Sequence, residues 1–125
     1  MSTTVVVLAD DLIWSTRLVE QLTATGAHPI AVRTVTAFAE SLATADRAIV
    51  DLTARAYDGV AQVAVATAAG RPVLAVGQHD DVDLRRRALA AGAQQVYPYR
   101  RLFEAGPTVL RRWLAADTTA AEAAR

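Results

Sequence analysis

Apolar residues along this chain fall into two alternating kinds of run. Thr4 to Ala9 (TVVVLA) is continuous and β-branched, which predicts a strand buried on both faces. Leu12 to Thr25 then changes period: Leu18, Val19 and Leu22 recur at helical spacing, and Gly26 suits the end of that helix. Pro29 to Val35 predicts a second strand. Thr36 to Ala45 predicts a short amphipathic helix with Phe38, Ala39 and Leu42 inward. Ala48 to Asp51 predicts the third strand, and Gly59 to Ala69 a third helix stopped by Gly70. Pro72 to Val76 predicts strand four, Val82 to Ala91 a helix stopped by Gly92, and Ala93 to Tyr97 strand five. Pro107 to Ala116 predicts the last helix, with Pro107 in its first turn. The remainder, DTTAAEAAR at 117–125, reads as an Ala-rich tail or linker after a domain at 1–116.

Strand and helix thus alternate five times. Apolar strands separated by helices predict an α/β fold, a doubly wound parallel sheet with helices on both faces. Right-handed crossovers leave few arrangements, and the order 2-1-3-4-5 is a common one. In such sheets ligands sit at the carboxyl ends of the strands, where the winding reverses between strands 1 and 3. Asp10 and Asp11 follow strand 1, and Asp51 ends strand 3. Three carboxylates are therefore expected at the switch point.

Composition narrows the chemistry. The 125 residues allow one domain with a real core. Cys is absent, which excludes disulfides and thiol catalysis. All thirteen basic residues are Arg, so a Schiff-base Lys, a phosphate-loop Lys and a Lys base are excluded together. Net charge is zero, which gives no electrostatic footprint for nucleic acid. No apolar run is long enough to span a bilayer, and the start, MSTTVVVLADD, has no basic flank or cleavage site, so a cytoplasmic protein away from membranes is expected.

Clustered like charges raise one another's pKa values unless a cation joins them. A hard divalent ion with oxygen ligands is the natural partner, and a carboxylate beside it is a potential phosphoryl acceptor. The plainer alternative is that each Asp caps a turn or a helix N-terminus. Both stay open on the residues alone.

Four stretches in order narrow the choice. VVVLADD, AIVDLTARAYDG, RPVLAVGQHDD and RRALAAGAQQVYPY resemble the receiver domain of two-component response regulators, over about Thr4 to Leu114. The resemblance implies the flavodoxin-like (βα)5 fold and a non-enzymatic role in phosphorelay signal transduction. It implies that Asp51 is the phosphoacceptor. It also implies that Asp10, Asp11 and Asp51, with the Thr53 backbone carbonyl, bind Mg²⁺ weakly.

The sequence departs from that family at three positions. Gly77 stands where the family has Ser or Thr at the end of strand 4. Tyr99 stands where it has Lys at the end of strand 5, and Val96 where an aromatic ring commonly reports the state. Without the hydroxyl and the ammonium, phosphorylation has few contacts by which to shift a conformational equilibrium. The expectation is an atypical, pseudo-receiver form that signals through protein–protein contact. One alternative is a working phosphoacceptor phosphorylated on Asp51 by a histidine kinase. Another is a small-ligand-binding domain on the same fold.

His79 and Trp14 are expected to flank the site. The resemblance implies a partner or homodimer face on helix 4, strand 5 and helix 5. Arg85, Arg86, Tyr97, Tyr99, Arg111 and Trp113 are its candidates, since Tyr, Trp and Arg are favoured interface anchors. The expected partner is a histidine kinase or another signalling protein. Direct DNA contact is not expected, as no helix-turn-helix segment follows Leu114 in this sequence.

Overall fold

The computed structural model describes residues 2–123, and side chains as far as Ala115. Five strands and five helices alternate: β1 (Thr4–Leu8), α1 (Leu12–Ala24), β2 (His28–Val32), α2 (Val35–Leu42), β3 (Arg47–Asp51), α3 (Gly59–Ala68), β4 (Val73–Gly77), α4 (Val82–Ala90), β5 (Gln95–Pro98) and α5 (Tyr99–Ala123). The strands form one parallel sheet in the order β2-β1-β3-β4-β5. The expected order is the observed one.

The period-2 alternation of strand side chains splits the core into two layers. Val6, Leu8, Val50 and Ala75 face α2, α3 and α4, and pack with Phe38, Leu42, Val63 and Ala88. Val5, Val7, Ile49, Leu74 and Val76 face the other way, onto Leu18, Leu22, Leu102, Leu110 and Trp113 of α1 and α5. Burial on both faces is why these strands read as unbroken apolar runs.

Helix starts are set by side-chain caps. Asp11, Thr34, Asp58 and Asp81 each accept a bond from the backbone N–H three residues on. Gly26 has φ +89° just past α1, a left-handed turn that other residues rarely adopt.

The last helix differs from expectation. It begins at Tyr99, eight residues before Pro107, because a first segment runs to a break at Ala105 (φ −142°, ψ 32°) and a second continues past Pro107. Proline lacks an N–H and opposes a helical residue upstream, which explains the break. The helical backbone extends to Ala123, so the segment expected as a tail at 117–125 continues α5 that far; its side chains and residues 124–125 lie outside the described residues. Among the described residues no helix is long and apolar enough to cross a membrane.

Candidate functional site

The carboxyl ends of β1, β3 and β5 border a cavity of about 620 Å³. Asp10, Asp11 and Asp51 line it together with Trp14, Tyr99 and Phe103. The topology thus brings the three expected carboxylates to one place. Each carboxylate, however, is already engaged.

Asp11 is the N-cap of α1, its Oδ1 accepting from the Trp14 N–H at 3.0 Å. Asp10 accepts from the backbone N–H groups of Arg55 and Ala56 at 3.2 and 3.4 Å, which ties the β1 end to the loop after β3. Asp51 is 2% exposed. Its Oδ1 accepts from the Thr53 N–H and the Thr53 hydroxyl, both at 3.0 Å, and from the Tyr99 phenol, whose oxygen also lies against the Thr53 hydroxyl oxygen. A buried carboxylate is costly unless hydrogen-bonded, and three donors on one oxygen meet that requirement.

Two tyrosines are held in their neutral form by this setting. Burial first, and then the hydrogen bond from its O–H to Asp51, push the ionisation of Tyr99 well above the usual tyrosine range. Tyr57 is pushed up by burial and by the nearby Asp51 charge. Its hydroxyl lies 3.0 Å from the carbonyl oxygens of both Leu8 and Asp51, so it bridges the ends of β1 and β3. Sequence reasoning missed Tyr57; its only signal was an aromatic directly before the Asp58-Gly59 pair.

Asp58 and Gly59 have structural duties. Asp58 caps α3. A Cβ on Gly59 would stand 2.7 Å from Leu52 Cα, so α3 starts against backbone that only glycine clears.

The Mg²⁺ implied at Asp10, Asp11, Asp51 and the Thr53 carbonyl has no ready-made cluster of ligands here. Among the described residues no three His, Asp or Glu side chains converge to hold a metal ion. The bonds above turn one oxygen of each carboxylate elsewhere: Asp11 to a helix N-terminus, Asp10 to a loop backbone and Asp51 to Thr53 and a phenol.

The departure positions are also resolved. Gly77 is buried beside Leu52 and Leu84, whose side chains border the space a hydroxyl-bearing residue would enter. Val96 is buried in the α2–α3–α4 layer. Tyr99 directly follows β5 and opens α5, and its ring meets Trp14 edge-on, with centroids 4.8 Å apart and planes at 81°. Trp14 therefore flanks the site as expected. His79 is exposed and is not part of the cavity wall, which Gln78 joins instead. Arg17 lies 4.2 Å over the Phe103 ring at the cavity's rim.

The interface candidates divide. Arg86 and Arg111 are exposed and Tyr97 is half-buried. Arg85 donates to the Val96 carbonyl at 2.9 Å and so pins α4 to β5. Trp113 is 3% exposed and bonds Gln94 through its indole N–H, so it is a core residue and not a surface anchor. Its apolar ring fills the layer beneath α5, which outweighs any surface role.

No protein-family model matches the sequence, and no curated protein matches it. Solved structures do resemble the fold. A signal receiver domain of a modulated diguanylate cyclase from Desulfovibrio desulfuricans G20 matches with a TM-score of 0.68 at 21% identity, over 78% of this chain and 82% of that one. A response regulator from Burkholderia pseudomallei, solved with a phosphorylated aspartic acid, calcium ion and citrate, gives 0.77 at 16% identity, over 98% and 74%. The signal receiver domain of a DNA-binding response regulator from Colwellia psychrerythraea 34H gives 0.77 at 17% identity, over 91% and 99%. The chain has the five-stranded, doubly wound fold of response-regulator receiver domains.

Proposed function

We propose that this chain is an atypical receiver-type signalling domain that acts through protein–protein contact and lacks the usual phosphorylation-driven switch. One observation carries the reading: the Tyr99 phenol donates to Asp51, at the position where the resemblance implied a lysine. A phosphoaspartate carries about two negative charges. A neutral phenol offers no charge to offset them, and Gly77 has no hydroxyl to report their arrival. The two arginines that follow Tyr99 are engaged elsewhere. Arg100 pairs with Glu104 at 3.0 Å, and Arg101 lies over the Tyr97 ring at 5.6 Å.

The partner surface in this reading is α4 with β5, where Val82, Arg86 and Leu89 are exposed. A kinase, another signalling protein or a second copy of the chain would dock there. Backbone amide spectra with and without a small-molecule phosphodonor test the reading. The expected result is no change in α4 or β5. Donor-dependent shifts there, absent from Asp51→Asn, would favour the alternative of a phosphoacceptor with a working readout. The aromatic wall of the cavity supports a second reading, a small-ligand-binding domain on the same fold. A small molecule that copurifies with the protein and is displaced from it by Trp14→Ala would support that reading.

A further inference from the structure

We propose that Tyr99 is a built-in cap on Asp51, a removable block over a carboxylate whose nucleophilic character is otherwise intact. The proposal rests on the receiver-type reading above and assigns what keeps that site silent. The phenol O–H and the Thr53 hydroxyl and N–H all converge on Asp51 Oδ1. Each bond withdraws lone-pair density, and the phenol ring also covers the approach from the cavity, whose wall it forms.

Three further observations make this a cap and not a passing contact. The Trp14 ring meets the Tyr99 ring edge-on at 4.8 Å, which holds the phenol over Asp51. Burial and the Asp51 charge keep that phenol protonated, so it remains a donor throughout the physiological range. The cavity of about 620 Å³ beyond the ring gives it space to swing into, so the block is reversible by a side-chain rotation. Below the cap, the bonds from Thr53 and Tyr99 all end on Oδ1 and not on Oδ2, and the Thr53 N–H stays placed to steady the carboxylate.

The blocked step is simple in its balance. An Asp51 carboxylate oxygen would form a bond to the phosphorus of an acyl phosphate, and the P–O bond to the carboxylate leaving group would break. The leaving carboxylate takes the electron pair, and no proton transfer is required.

Intact-mass spectrometry after incubation with acetyl phosphate tests the cap, with Mg²⁺ supplied in excess in every arm. The parent, Tyr99→Phe, Tyr99→Ala and Tyr99→Ala/Asp51→Asn are compared. Removing the O–H alone in Tyr99→Phe is expected to raise the labelling rate by about tenfold, the worth of one hydrogen bond to a charged group. Tyr99→Ala, which also uncovers the approach, is expected to label faster still, and the double variant not at all. If Tyr99→Ala fails to fold, Tyr99→Phe alone decides, since it keeps the ring. Labelling of both variants no faster than the parent would overturn the cap and leave the silent-receiver reading standing. Rapid labelling of the parent, with shifts in α4 and β5, would overturn that reading as well.

Discussion

The guanidinium of Arg47, at the first position of β3, lies 5.5 Å over the ring of Trp113 in α5 and donates to the Leu114 carbonyl at 3.0 Å. Arg47 is 7% exposed, so this contact is made largely out of water. It joins the amino end of the central strand to the second segment of α5, far from the carboxylates. Arg47→Ala should therefore destabilise the fold by about 2–4 kcal/mol, the sum of a charged hydrogen bond and a shielded cation–π contact. Urea denaturation measures this. Loss of less than about 0.5 kcal/mol, the scale of an ordinary surface change, would show that the contact adds nothing net.

Gly59 offers a sharper steric test. Its Cβ would meet Leu52 Cα at 2.7 Å and the Asp51 and Leu52 carbonyl oxygens at 3.2 Å. These are backbone atoms and have no side-chain rotation by which to yield. Gly59→Ala is expected to cost about 1–3 kcal/mol through forced displacement of the loop after β3. Because that loop supplies the Arg55 and Ala56 N–H groups that bind Asp10, their amide resonances should shift in the same variant. An unchanged melting temperature with unshifted amides would contradict the packing described.

Asp51 and Asp11 show how much of the site was legible in the chain. Strand ends and carboxylate positions follow from apolar runs that stop on acids, so the order of the sheet and the gathering of Asp10, Asp11 and Asp51 were readable. Side-chain direction was not. Whether Asp11 faces a metal or caps α1 depends on one rotamer, and the cap was won by the Trp14 N–H. Tyr99 was legible as a missing lysine but not as a donor to Asp51, because that bond joins residues 48 apart in sequence. Trp113 reads equally well as anchor or core until the far side of the sheet is known. The early start of α5 was hidden because Pro107 signals a first turn, and here it opens only the second of two segments.

The raised ionisation of Tyr99 makes stability depend on alkaline pH in a definite direction. The unfolded phenol ionises near pH 10, whereas the folded one stays protonated beyond that. The stability this difference represents is fully present below about pH 10 and is lost as pH rises above it. The free-energy gap between the parent and Tyr99→Phe should therefore be constant from neutral pH to about 9 and shrink above 10. Denaturation curves across that range, paired with tyrosinate absorbance, measure it. A Tyr99 absorbance step near pH 10 in the folded parent would mean that the phenol is not held as described.

Gly77 provides the last test, because here the structure separates room from function. A Cβ would sit 3.5 Å from Leu52 Cδ1 and 3.9 Å from Leu84 Cδ2, which is ordinary contact. Gly inside a strand costs roughly 0.5–1 kcal/mol of entropy, and threonine suits a strand. Gly77→Thr should therefore be neutral or slightly stabilising in urea. It should not by itself create a donor-dependent change in β4, since the Tyr99 phenol still covers Asp51. Gly77→Thr with Tyr99→Lys supplies both a hydroxyl and a cation, the differential contacts that a conformational response requires. Amide spectra of β4 and α4 with acetyl phosphate should then change in the double variant and in neither single one. A response in Gly77→Thr alone would place the block at strand 4 and not at the phenol.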